Sequence, residues 1–293
     1  MDYHGDMSSA EIKNVSDTAI WVAYYRGRES ERANPMFRDP LAKLLVGERG
    51  EQIAATFRKT SAYTEWTVLT RTVIIDEFIL KAIAEGVDAV VNLGAGLDTR
   101  PYRMELPPSF QWVEADFPHM IEYKEKILRD HQPRCQLQRV GVDLSDPAAR
   151  RALLESVVPG AKKILVLTEG VIPYLTEEQV AGLAEELRAQ PRFAFWIGEY
   201  FSAGSYRYLK AVSKSTALRN APFQFFPPDW DGFFLKHGWA RKEAHYYSEI
   251  GRRFRRRPPF PWWVPLVLML MSRERREQAE RMSGYLLWEP ASR

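Results

Sequence analysis

The run from Val90 to Arg100 constrains this chain most: an apolar, strand-like stretch breaks into Gly94-Ala95-Gly96 and continues through Leu97, Asp98 and Thr99. A second apolar run follows, Trp112-Val113, and ends in Glu114-Ala115-Asp116. Glycines after a strand let backbone approach a ligand closely, and a carboxylate at the next strand end can hold both hydroxyls of a ribose. The pattern therefore points to a parallel α/β sheet with an adenosine-containing cofactor at its edge. A dinucleotide site carries a third glycine, where this chain has Thr99 preceded by Asp98. A carboxylate there competes with a pyrophosphate for free N–H groups and for the positive end of the helix dipole. S-adenosylmethionine carries no phosphate and offers an ammonium and a sulfonium, so acids around the pocket suit it.

Short apolar β-type runs alternate with helical patterns along most of the chain, as in a mostly parallel sheet covered on both faces. The patterning predicts strands over Ala89–Leu93, Gln111–Ala115, Gln136–Val142, Lys163–Thr168, Arg192–Glu199 and Ala240–Tyr246. A seventh strand, Gly284–Trp288, closes the sheet antiparallel. Helices are expected over Pro118–Arg129, Pro147–Ser156, Glu177–Ala189 and Pro228–His237, with Thr176 as an N-cap. At 293 residues one elaborated domain is the expectation. It divides into a helical N-terminal lid (1–85), a Rossmann-like core (86–250), an arginine-rich insertion (251–282) and a last strand with tail (283–293). A further insertion, Phe201–Pro227, is a second candidate lid.

Cys135 is the single cysteine, so neither an internal disulfide nor a cysteine metal cluster is available, and no metal is expected. The N-terminus lacks the basic start and apolar core of a secretory signal. The longest apolar run, Phe260 to Met271, is too short to span a bilayer. The chain reads as a soluble cytoplasmic protein with no integral membrane segment. Nothing in the sequence excludes a homo-oligomer.

Candidate ligand contacts fall at four strand ends: Gly94 and Gly96, then Asp116, then Asp143 with Leu144, then Glu169. Asp143 is placed to accept from an adenine amino group, the Leu144 N–H to meet a ring nitrogen, and Glu169 to face the cofactor's ammonium. Any one of these acids taken singly is equally a helix or turn cap. One after each of three consecutive strands is harder to explain that way.

The segments Asn92 to Arg100, Glu114-Ala115-Asp116-Phe117-Pro118 and Thr168 to Leu175 resemble the leucine carboxyl methyltransferase family. Thr18-Ala19-Ile20-Trp21, Phe37-Arg38-Asp39-Pro40 and Ser283-Gly284-Tyr285 are similar to its bacterial branch, which includes polyketide carboxyl O-methyltransferases. The resemblance spans nearly the whole chain. It implies a Rossmann-like class I methyltransferase fold with a seven-stranded sheet, S-adenosylmethionine as cofactor, and methyl transfer to an oxygen, expected to be a carboxylate of a small secondary metabolite. It places Gly94 by the methionine part, Asp116 on the ribose, Asp143 and Leu144 on the adenine, Glu169 near the amino-acid moiety, and Arg71 on the cofactor's carboxylate. The substrate-recognition insertions of the eukaryotic, phosphatase-methylating members have no convincing counterpart here.

A carboxylate acceptor is already ionised and needs no base, whereas a phenol or alcohol does. The five histidines show no clustering that marks one as that base, which favours the carboxylate. For the substrate side the candidates are Tyr24, Tyr25, Arg26 and Arg28 from the N-terminal segment and Tyr200 at the end of the fifth strand, with Arg26 and Tyr200 as the catalytic pair. Tyr24 and Tyr25 are equally readable as packing aromatics. Competing readings are a hydroxyl O-methyltransferase on a phenolic metabolite, a nucleic-acid methyltransferase using Arg252 to Arg257, and a non-catalytic membrane- or partner-binding protein. The nucleic-acid reading meets Glu169-Gly170-Val171-Ile172-Pro173-Tyr174 where base-amine enzymes carry Asn/Asp-Pro-Pro-aromatic, so no nucleic-acid partner is expected. An NAD-dependent dehydrogenase is disfavoured by Asp98 and the missing third glycine.

Overall fold

Strands β1 (Ala89–Leu93) and β4 (Ile164–Thr168) are buried along their whole length, as strands covered on both faces must be. The computed structural model describes residues 15–47, 61–206, 209–210 and 222–292. It places β1 and β4 at the centre of a seven-stranded sheet of order β3-β2-β1-β4-β5-β7-β6. The other strands are β2 (Gln111–Asp116), β3 (Gln136–Gly141), β5 (Phe193–Phe201), β6 (Trp239–Tyr246) and β7 (Ser283–Pro290). β1 to β5 pair in parallel, and β7 inserts antiparallel between β5 and β6. Each predicted strand is present, with ends shifted by a residue or two.

Register fixes the functional edge. Leu93 lies opposite both Ala115 and Thr168, and Asp116 lies opposite Gly141, so β1 to β4 end nearly level. The residues just past those ends therefore share one rim. The sheet order reverses between β1 and β4, where a crevice opens in such folds.

Side chains alternate across the sheet, and the helices cover both faces. Val91, Leu93, Val113 and Val166 pack on one face with α6 (Pro147–Ser156), α7 (Glu177–Arg188) and α8 (Trp230–Lys236). Val90, Trp112, Leu165 and Ile197 pack on the other with α3 (Ser61–Ala84) and α9 (Tyr247–Arg253). Helix α7 begins with a capping box, the Thr176 hydroxyl accepting from Gln179 N and the Gln179 side chain accepting from Thr176 N.

The described helices of the N-terminal segment take different places. Helix α3 is a core layer, with Leu69, Val73, Ile74 and Phe78 buried against the sheet. Helix α1 (Val15–Ser30) instead lies over the carboxyl edge, its Ala19 and Ala23 packed with Leu97 of the glycine loop and Met120 of α5 (Pro118–Leu128). A short helix over 40–47, α2, braces it, and a side chain at Gly27 would press on the Lys43 backbone at 3.1 Å. The glycine loop runs into the four-residue α4 (Arg100–Arg103). Between α9 and β7 the chain forms α10 (Val264–Leu270) and α11 (Arg273–Glu280). Much of the Phe201–Pro227 insertion lies outside the described residues.

Gly284 sits in β7 between Tyr200 of β5 and Tyr246 of β6, where a Cβ would fall on the His245 carbonyl oxygen and within 2.9 Å of Tyr246 Cα. Both obstacles are backbone, so Gly284→Ala is expected to cost about 3 kcal/mol by overpacking. Thermal unfolding checks this; an unchanged midpoint would contradict so tight a β7.

Candidate active site

Gly94 (φ +71°) and Gly96 (φ +45°) turn the chain off β1 in the left-handed region. A Cβ on Gly94 would meet Val171 Cγ2 at 2.5 Å, and one on Gly96 would meet Ala19 Cβ at 3.2 Å. The loop is folded over the end of β2, since Gly94 N and Ala95 N both donate to the Ala115 carbonyl (2.8 and 3.2 Å). Asp116 completes the clasp: its carboxylate accepts from Gly96 N at 2.6 Å and from Phe117 N at 2.7 Å. Burial pushes the Asp116 pKa up against these two N–H groups. Each oxygen keeps a second lone pair for a ribose hydroxyl.

Asp143 is exposed on the same rim and accepts from Ser145 N and Oγ at 2.9 and 2.7 Å. Arg150 donates to the Leu144 carbonyl at 2.7 Å while held by Glu186, which fixes that turn. Glu169 is buried between two guanidiniums, Arg71 Nε at 2.9 Å and Arg100 Nη1 at 2.7 Å. Burial alone would raise its pKa, but Arg100 and Arg71 outweigh that and hold it below the ordinary carboxylate range. Gly94, Gly96, Asp116, Asp143, Leu144, Glu169 and Arg71 all line one cavity of about 2250 Å³ that runs from the strand ends to the 251–271 segment.

Asp98 is caged. It accepts from Arg100 N (2.9 Å), Arg100 Nη1 (2.8 Å) and Asn92 Nδ2 (2.9 Å). Burial opposes its charge, yet Arg100 and Arg26 hold its pKa well below the usual range. The first-turn N–H of α4 that a pyrophosphate would use is therefore already taken.

The expected catalytic pair does not form. Arg26 reaches the cavity wall, but it is 2% exposed, donates to the Leu97 carbonyl at 2.5 Å and sits 3.3 Å from Asp39. Through these contacts it braces α1 onto the glycine loop. Tyr200 does not line the cavity; its ring packs on Trp230 and Tyr246 at 5.7 and 6.0 Å on the α8 side of the sheet. Tyr25 is buried beside Trp21, and Tyr24 and Arg28 stack on each other away from the cavity.

In place of Tyr200 stands its neighbour, Glu199. Its side chain lies on the α3 side with Phe195 and Ile197, lines the cavity, and is 3% exposed. Oε1 accepts from Gly170 N and from Tyr285 Oη (3.0 Å), while Oε2 is buried and has no hydrogen-bond partner among the described residues. Burial raises the Glu199 pKa to about 7, with the Gly170 N–H, Arg71 and Tyr285 opposing. Tyr174 and Tyr247 line the same wall. Burial pushes the Tyr174 hydroxyl up to about 12, so it stays a donor. The strand-end position was the available signal for Glu199; the alternation of β5 is what separates it from Tyr200. Among the described residues no cluster of histidine, cysteine and carboxylate side chains is arranged to hold a metal.

The donor set fits an adenosine-bearing, positively charged thioether: a glycine cradle, a ribose-ready carboxylate, acids along the rim and an arginine beside the innermost acid. The sequence profile of leucine carboxyl methyltransferases matches residues 19–188. A Streptomyces coelicolor protein named as a candidate S-adenosyl-L-methionine-dependent methyltransferase is 31% identical, the match covering 80% of this chain and 86% of that one. A Streptomyces avermitilis protein of the same designation is 30% identical over 83% of this chain and 89% of its own. The crystal structure of a DUF574 family protein, also from Streptomyces avermitilis, shares the fold with a TM-score of 0.59 at 13% identity, covering 94% of this chain and 97% of that chain. The chain belongs to the leucine carboxyl methyltransferase family and is an S-adenosylmethionine-dependent methyltransferase with a Rossmann-like, mostly parallel seven-stranded sheet.

Proposed function

We propose that this enzyme methylates a hydroxyl oxygen of a small, largely apolar acceptor, with Glu199 as the base. The observation that carries the reading is the buried Glu199 carboxyl on the cavity wall, with one oxygen unpartnered among the described residues and a pKa raised to about 7. A general base works best when its pKa lies near the working pH. When bound, S-adenosylmethionine supplies an electrophilic methyl group. The Gly94–Gly96 loop, Asp116, Asp143 with Leu144, Glu169 and Arg71 are assigned to holding that cofactor. Glu199 then takes the acceptor's proton on Oε2, while Gly170 N–H and Tyr285 Oη fix Oε1 and orient the carboxyl. The aromatic and aliphatic wall around it excludes water, which strengthens these contacts.

The family's description favours a second reading, with a carboxylate as acceptor. Glu199 would then act protonated, donating to the acceptor oxygen. In that reading the acceptor's charge would be met from the 251–271 side of the cavity, where Arg255 and Arg257 line it, since Arg26 and Arg71 by the strand ends are both paired with acids.

The two readings give opposite pH profiles. With a hydroxyl acceptor, kcat/KM rises with unit slope as Glu199 ionises, levelling above pH about 7. With a carboxylate acceptor it falls through the same region. Glu199→Gln should lower hydroxyl transfer by roughly 10²-fold or more, the usual worth of a general base. Retained turnover in Glu199→Gln with a carboxylic-acid acceptor would establish the second reading instead. For the cofactor, Asp116→Ala and Arg71→Ala are each expected to weaken S-adenosylhomocysteine binding more than about tenfold, each removing a charged hydrogen-bonding partner. Calorimetry measures this, and unchanged affinity in both variants would remove the assignment of these residues.

A further inference from the structure

The segment that closes the cavity opposite the strand ends carries an exposed apolar surface that continues outward from the cavity mouth. Trp262, Met269 and Leu270 are 81%, 69% and 88% exposed, and Trp263, Leu266 and Val267 are each more than two-fifths exposed. Helix α10 has no polar residue in its sequence Val-Pro-Leu-Val-Leu-Met-Leu, whereas a helix facing water normally turns polar side chains outward. Patches of this kind mark contact surfaces. We propose that this face docks on an anionic lipid surface, with tryptophans and α10 entering the headgroup boundary and the flanking arginines meeting lipid phosphates and carboxylates.

Charge selects the occupant. Residues 251–282 hold nine arginines against three glutamates, net +6 in a chain whose total is +3, so the remainder carries net −3. Some of these arginines are tied inward: Arg252 to Glu280, Arg253 to Glu77 and Arg256 to Glu29. Arg255 and Arg257 on one flank, and Arg275 on the other, are exposed and in no ion pair among the described residues. Tryptophan and apolar residues bracketed by arginine are the composition of an interfacial anchor. A second copy on the same face would set one cationic rim against another. The proposed contact is a surface one; no described helix is long and apolar enough to span a membrane. The same segment lines the cavity mouth through Phe260, Trp262, Val264, Leu268 and Met269, so a lipid-dissolved acceptor would enter where the chain docks. That last consequence rests on the proposed reaction; the docking itself does not.

Co-sedimentation of the full chain with phosphatidylcholine vesicles, with and without phosphatidylserine, tests the proposal. At least tenfold stronger partitioning onto the anionic vesicles is expected, weakening as salt rises. Leu266→Asp/Leu270→Asp, at positions outside the cavity wall, should lower that partitioning at least tenfold while leaving S-adenosylhomocysteine affinity unchanged. Arg275→Glu should lower it on anionic vesicles only. No binding to either vesicle, or equal binding to both with the variants unaffected, would overturn the proposal. So would a dimer in solution that Leu266→Asp/Leu270→Asp dissolves, because the face would then belong to a second copy. Loss of vesicle binding with cofactor binding intact leaves the enzymatic reading standing, so the two fail separately.

Discussion

Arg100 is fully buried and touches three carboxylates: Asp98 at 2.8 Å, Glu169 at 2.7 Å and Asp76 at 2.7 Å. An isolated buried charge would cost many kcal/mol, so a guanidinium there demands that all its partners be in place. Those partners come from α3, the glycine loop and the end of β4. Arg103 adds a second grip on Asp76 (2.6 Å), and Arg26 ties α1 in through Asp39. The glycine loop is thereby clamped between the sheet and two helices before any ligand arrives. A cofactor with its own positive charge meets acids that are held and ionised, and little rearrangement is required of the protein.

The network also divides labour among the acids. Asp98 and Glu169 are kept charged by guanidiniums close by, while Glu199, hydrogen-bonded to no described arginine, has its pKa raised by burial to about 7. Carboxyl groups on one cavity wall whose surroundings push their pKa values apart suit different tasks. The charged acid suits electrostatic binding of a cation, and the poised one suits moving a proton. Glu199 owes its state to position: it sits one strand further along than Glu169, behind Tyr285 and away from α4.

The elements themselves were largely legible in the residues. Apolar runs of strand length, prolines at the first turns of α5 and α6, and Thr176 ahead of α7 mark strands and helices by local rules. The rim of Gly94, Gly96, Asp116, Asp143 and Glu169 was legible too, because in a parallel sheet every carboxyl end falls on one edge. Arg26 and Tyr200 are placed differently from the expected pair, for different reasons. Sequence gives no sign of which acids will surround an arginine, and Asp39 and the Leu97 carbonyl are what hold Arg26 against the glycine loop. At the end of β5, a shift of one residue moves a side chain to the opposite face, which is enough to exchange Tyr200 for Glu199.

The order of residues thus determined the strand ends, the glycine turn and the preference for a phosphate-free adenosine ligand, since these follow from local backbone geometry and the fixed polarity of a parallel sheet. Tertiary structure alone decided that α3 is a core layer, that Asp98 is spent on Arg100, and that Glu199 stands buried at the cavity with one oxygen open among the described residues. Charge state and orientation depend on neighbours brought from distant parts of the chain, and no local pattern records who those neighbours will be.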